Sequence, residues 1–258
     1  MTTERLADEP LIAVFVDYEN LAIGVRRMRK GSFAIDLVLR RLLEKGRIVY
    51  KRAYCDWGNY RDAVREFHTQ GVELIDIPQS KASGKNSADI HMVVDAMDLC
   101  FSKEHIGTFA LLSGDSDFSP LVHKLKECDK QVIGCGVKAS TSNLLVKSCD
   151  AFIYYDDLAK RAAAKVPKQR KSPDTNPEDR QMEGIEQVME VIRSLAQDYE
   201  NVWSSMVKQT LMRVNPGFNH EYHGYRSWNG MLKDLETRGM LELSHDRQRG
   251  NIMVHLKD

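Results

Sequence analysis

The segment LLSGDSDFSPL, Leu111 to Leu121, constrains the fold more than any other part of the chain. Thr108 to Leu112 is short and almost wholly apolar, which suits a strand buried on both faces, and Ser113 and Gly114 supply a sharp exit. Phe118 to Glu127 then has helical spacing. A strand, a tight acidic turn and a helix start place Asp115 and Asp117 at a strand's carboxyl end. In open α/β sheets that edge is where ligands bind. Neighbouring carboxylates there repel each other unless a proton or a cation intervenes, and Mg²⁺ or Mn²⁺ suits such oxygen donors.

The preceding residues repeat the pattern. Leu11 to Val16, LIAVFV, reads as a buried strand that delivers Asp17 at its tip, with Asn20 three residues later. Helical spacing over Ile35–Leu43 ends at Gly46, and Ile48–Tyr54 reads as the next strand. A helix over Arg61–Gln70 closes at Gly71, and a strand over Val72–Ile77 stops at Pro78. The polar loop QSKASGKNS carries Lys81 and Lys85; Ser87 then caps a helix over Ala88–Phe101 that places Asp89 in its first turn and buries Ile90, Val93, Val94 and Met97. Beyond the central segment, Gln131–Val137 and Phe152–Tyr155 read as strands and Ser142–Lys147 as a short helix. This alternation predicts an α/β fold, a mostly parallel sheet sandwiched by helices.

In such a sheet Asp17, Asp89, Asp115 and Asp117 arrive at one edge from separate elements. Each alone also reads as a turn or first-turn aspartate favoured by the helix dipole. Together, with Asp17 directly after a buried strand, they read as a site that collects mutually repelling acids. Ser113, Gly114 and Ser116 are placed to offer backbone N–H groups to a phosphate at the following helix start, and Lys85 to meet one as a point charge.

The net charge of +0 conceals an uneven distribution. Residues 1–158 carry 21 Lys+Arg against 23 Asp+Glu, residues 159–183 carry 7 against 4, and residues 184–258 carry 9 against 10. The net-basic stretch contains three prolines and few large apolar residues, so it reads as a linker whose start continues a helix. The domains expected are a tail over 1–9, an α/β domain over 10–158, this linker over 159–183 and a smaller α+β domain over 184–258. Five cysteines without a close zinc-type pair read as reduced, mostly buried thiols. With no basic-then-apolar leader and no long apolar run, the expectation is a soluble, cytoplasmic protein without a membrane partner.

The elements FVDYEN with Asp17 and Asn20, GKNSADIHMVVDAM with Lys85, Asp89 and Asp95, and SGDSDFSPL with Asp115 and Asp117 resemble the NYN domains of the PIN-like nuclease superfamily. The resemblance covers about residues 10–158. It implies a metal-dependent endonuclease acting mainly on RNA, with Asp17, Asp89, Asp115 and Asp117 as Mg²⁺ or Mn²⁺ ligands. Asn20 would orient Asp17 or a substrate phosphate, and Asp95 would support the ligands from behind. Asn86 departs from the small or apolar residue usual after the family's lysine.

In the C-terminal part, Ile185, Val188, Met189, Ile192 and Leu195 share a helix face, and Ser204 or Ser205 caps a second helix through Val214. A third helix is expected over Ser227–Arg238, followed by a hairpin whose tip is DRQRGN. Three helices and a hairpin suggest a winged helix. The order of NPGFN before GYRSWNGMLKDLETRGMLEL resembles the OST-HTH/LOTUS domain, which implies binding of RNA, including structured RNA. Tyr225, Arg226, Arg247 and Arg249 combine cations and an aromatic as RNA surfaces do, while Trp228 reads as core. Near-neutral charge and the dual use of winged helices also leave a protein partner open. Two alternatives to a ribonuclease remain on the sequence: a non-catalytic RNA-binding adaptor, and a Mg²⁺-dependent phosphatase of the aspartyl-phosphate type, whose motifs Asp17, Glu19, Lys85 and Asp115 match only in outline.

Overall fold

Ile12 to Val16 are fully buried because the strand they form, β1 (Leu11–Asp17), lies inside a six-stranded sheet. The computed structural model describes residues 9–28, 32–78, 86–164, 176–246 and 251–257. In chain order the first compact unit continues with α1 (Tyr18–Arg27), α2 (Ile35–Leu43), β2 (Arg47–Cys55), α3 (Arg61–Thr69) and β3 (Glu73–Asp76). It goes on through α4 (Ser87–Ser102), β4 (Thr108–Leu112), α5 (Ser119–Glu127), β5 (Gln131–Gly136), α6 (Asn143–Ser148), β6 (Ala151–Tyr154) and α7 (Tyr155–Ala164). The strand order is β3-β2-β1-β4-β5-β6, and every neighbouring pair is parallel.

The alternation of a strand's side chains divides the core in two. Ile12, Val14 and Val16 pack with Leu21, Val25, Val38 and Phe67 from α1, α2 and α3. Ala13 and Phe15 point the other way, onto Met92 and Ala96 of α4 and Leu121 and Val122 of α5. From β1 the chain builds β2 and β3 on one side, then α4 carries it back to β4 on the other. The β1/β4 junction is therefore the point where the winding reverses, and a crevice at the carboxyl edge belongs there.

Several expectations need correction. The buried stripe of α4 is Met92, Ala96, Leu99 and Cys100; Ile90 and Val94 are 62% and 59% exposed, while Val93 and Met97 pack only partly. Asn86 precedes this helix, and Ser87 is its first residue rather than its cap. The segment after Asp17, to which the sequence pattern assigned no element, is the helix α1. The stretch 159–183 continues a helix at its start as expected, within α7 up to Ala164, but its other end is also helical, within α8 (Pro177–Asp198) from Pro177. Residues 165–175 between them lie outside the described residues.

The second unit continues with β7 (Val202–Trp203), α9 (Ser204–Val214), α10 (Trp228–Thr237), β8 (Leu241–Asp246) and β9 (Asn251–Leu256). Its antiparallel sheet has the order β7-β9-β8. Val188, Ile192, Leu211, Trp228, Leu232 and Val254 meet in one core. Neither candidate serine caps α9. Ser204 is buried and accepts the Trp228 Nε1–H at 2.9 Å, while the Ser205 hydroxyl accepts from Asn251 Nδ2 at 2.9 Å. All five cysteines are free thiols. Among the described residues no helix is long and apolar enough to cross a membrane.

Candidate active site

Asp17 and Ser113 stand side by side across the β1/β4 junction, since Val16 pairs with Leu112 immediately before them. The Ser113 hydroxyl, fully buried, donates to Asp17 Oδ2 at 2.8 Å and accepts the Asp115 N–H at 3.1 Å. Asp17 Oδ1 accepts the Asn20 N–H at 3.2 Å, capping α1, and Asn20 Oδ1 in turn accepts the Gly114 N–H at 2.9 Å. Asn20 and Ser113 thus lock the exit of β4 to the exit of β1. Gly114 has no room for a side chain, because a Cβ there would lie 2.5 Å from the carbonyl oxygen of Ser140, in the segment that follows β5.

The acids converge electrostatically on this lock. Burial pushes the Asp17 carboxyl up to about 7; the hydrogen bonds from Ser113 and Asn20 pull it back, and the charges of Asp89 and Asp115 add to the rise. Asp89, in the first turn of α4, is raised by burial and by the carboxylates of Asp115, Asp117 and Glu19. Asp115 caps a short 3-10 turn over Ser116–Phe118, its Oδ1 accepting the Asp117 N–H at 3.0 Å, and Asp117 is exposed. Capping alone is an ordinary duty at this edge. Asp56 and Asp76 also accept backbone N–H groups there, from Gly58 and Trp57. What separates Asp17 is a nearly complete burial among other acids without an ion-pair partner among the described residues.

Glu19 belongs with these acids, although sequence reasoning placed it outside the metal-binding set. Its signal was available: Glu19 follows Asp17 by two residues. Other expected site residues stand elsewhere. Asp95 Oδ2 accepts from Arg52 Nη1 at 2.9 Å and from the Tyr54 hydroxyl at 2.6 Å, which makes it an anchor of α4 on β2 rather than a support of the acids. Asp95→Asn should accordingly cost about 1–3 kcal/mol of stability, from weakening a charged hydrogen-bond pair, with the cleavage rate of the folded fraction unchanged. Urea titration beside a cleavage assay checks both.

The Gly114 N–H is already bonded to Asn20, so the phosphate cradle expected over Ser113, Gly114 and Ser116 is not open at Gly114. Lys85, Arg247 and Arg249 lie outside the described residues. In the second unit Arg226 is exposed, but Tyr225 is buried and its hydroxyl donates to Asp234 Oδ2 at 2.6 Å, so its ring is core and not a stacking surface. Trp228 is core as expected.

Residues 11–156 match the family model of the NYN domain. The chain belongs to the NYN domain family. An uncharacterized protein of Methanocaldococcus jannaschii is 30% identical over 175 residues, a match spanning 67% of this chain and 67% of that protein. A protein of unknown function from Vibrio parahaemolyticus has a crystal structure with the same fold, at a TM-score of 0.52 and 24% identity over 61% of this chain and 98% of that one. The NYN domains are PIN-like nucleases, and the shared fold supplies the parallel sheet and its carboxyl edge.

The donor set of this NYN domain fits a hard cation. Asp17, Asp89, Asp115, Asp117 and Glu19 offer only oxygen, and burial together with the charges of neighbouring acids disfavours ionisation of Asp17 and Asp89, which a divalent ion offsets. Among the described residues no three His, Cys, Asp or Glu side chains already close on one point.

Proposed function

We propose that this NYN protein is a Mg²⁺- or Mn²⁺-dependent endoribonuclease. The observation that carries this reading is Asp17, buried at the β1/β4 junction with its carboxyl raised to about 7 amid Asp89 and Asp115. Asp17, Asp89, Asp115 and Asp117 would hold the cation. When bound, it supplies a more acidic water and neutralisation of the charge that builds on the phosphodiester. The chain's own part is positioning: Ser113 fixes Asp17 Oδ2, Asn20 fixes the β4 exit, and the Asp115 cap sets the acidic turn. A phosphatase of the aspartyl-phosphate type needs a second Asp two residues after its nucleophile, and Glu19 stands there instead, which favours the nuclease over that alternative.

The second unit, in this reading, is a winged helix of the OST-HTH/LOTUS type that tethers RNA. Its support is the order helix, strand, two helices and hairpin, with the three-stranded sheet β7-β9-β8. A cytoplasmic location is part of the same proposal.

Cation binding requires Asp17 as the carboxylate, so affinity should rise with pH up to about 7 and then level off. Below that pH each unit should weaken binding by about tenfold. Thermal melting of the full chain with MnCl₂ or with chelator, at pH 6 and pH 8, measures this. A larger Mn²⁺ shift at pH 8, together with RNA cleavage in Mn²⁺ that chelator stops, is expected. A chelator-insensitive cleavage would refute the metal dependence.

A further inference from the structure

A cavity of about 240 Å³ lies between α1 and α3, on the sheet face opposite α4. Tyr18 and Phe33 make its buried floor, Tyr60 is half-buried in its wall, and Arg26, Asp62 and Glu66 stand around it. The Tyr60 ring meets Tyr18 edge-on at 5.1 Å and carries the Arg26 guanidinium 5.5 Å from its centroid. Glu66 Oε1 accepts the Ile35 N–H at 2.9 Å, and burial raises the Glu66 carboxyl. Among the described residues neither Glu66 nor Asp62 forms an ion pair.

An aromatic wall, a cation at the rim and one partly buried carboxylate acceptor, Glu66, suit a flat heterocycle that bears N–H donors and is joined to a phosphate. The volume lies below the roughly 300–1,000 Å³ of drug-sized sites, so one ring system fits and a larger ligand does not. The position is as informative as the lining. Both α1 and α3 begin at the sheet's carboxyl edge, and Tyr18 directly follows Asp17. Glu19, in the first turn of α1, acts on both places: after burial its charge raises the Tyr60 phenol, and it adds to the burial and the carboxylates that raise Asp89.

We infer that this cavity seats one nucleobase of the RNA substrate beside the cleaved phosphodiester, with guanine favoured because its N1–H and N2–H donors meet Glu66 while Tyr60 stacks on the ring. The inference rests on the nuclease reading for its substrate, and Arg26 would leave Tyr60 to meet the adjoining phosphate.

The test uses the full chain, calorimetric titration with guanosine 5′-monophosphate, uridine 5′-monophosphate and inorganic phosphate, and sequencing of the ends cut from random RNA. The guanosine nucleotide should bind about tenfold tighter than the uridine nucleotide. Tyr60→Leu keeps apolar bulk but loses stacking, and should weaken both about tenfold. Glu66→Gln keeps the Oε1 acceptor for Ile35 and should erase the guanine preference, both in titration and next to the cut. Equal binding of the two nucleotides, or indifference to both variants, overturns the base site and leaves cleavage itself untouched. Guanosine nucleotide binding in a protein that never cuts RNA overturns the RNA assignment instead.

Discussion

Asp17→Asn should lower RNA cleavage by at least about a hundredfold, since a lost carboxylate ligand removes several kcal/mol of transition-state stabilisation. The same substitution should stabilise the cation-free fold at alkaline pH. In the folded chain the Asp17 carboxyl is raised from 3.8 to about 7, so between those values the native state holds a proton that the unfolded chain releases. Stability therefore falls as pH rises through this window, and above about 7 the charged, buried carboxylate costs on the order of 4 kcal/mol. Asparagine imitates the protonated form. It keeps Oδ1 as the acceptor for Asn20, and the Ser113 hydroxyl can turn to accept from its amide. The gain over wild type should be absent near pH 4 and largest near pH 8, read by urea unfolding in chelator. Wild-type turnover by the variant would remove Asp17 from the catalytic set.

The outline of this site was visible in the sequence because its strands are continuous apolar runs that stop abruptly at acids. Leu11–Val16 before Asp17 and Thr108–Leu112 before the Gly114 turn have few other ways to be buried. What joins them was not visible. That Ser113 bridges Asp17 and the Asp115 N–H, or that Asn20 bonds Gly114, depends on β1 and β4 being neighbours at a given register. The face of α4 was misread for a plainer reason. Ile90, Met92, Val93, Val94, Ala96, Met97, Leu99 and Cys100 surround that helix with apolar side chains, so periodicity does not select the stripe that meets the sheet. Helix α1 escaped notice because its cap is Asp17 itself, a residue already accounted for as a site acid. Tyr225 shows the limit of composition: beside Arg226 it resembles a stacking residue, but Asp234, further along α10 from Trp228, supplies a partner for its hydroxyl.

Removal of residues 166–258 should leave a nuclease that still cuts generic single-stranded RNA, but binds it more weakly and with a shallower salt dependence. The acids, Ser113, Asn20 and the whole parallel sheet belong to the first unit, so the chemistry of the proposed site does not require the second. Affinity does, if the second unit is an RNA tether. A tethered module raises the local RNA concentration at the acids without touching the reacting phosphate. Its cations are few but placed outward in part: Arg226 is exposed, and the sequence adds Arg247 and Arg249 in the hairpin tip and a net-basic stretch over 159–183. Each phosphate that the shortened chain no longer neutralises should reduce the slope of log affinity against log salt by about 0.7 for a single strand. With roughly three such phosphates the slope would fall by about 2, enough to weaken binding at least tenfold at low salt. Charge reversal of Arg247 and Arg249 together should reproduce part of that change, with cleavage of saturating RNA preserved. Affinity measured across a salt series for the full chain, the truncation and the double variant decides the matter. Equal slopes and equal affinities in all three would show that the second unit holds no RNA, and would direct attention to a protein partner.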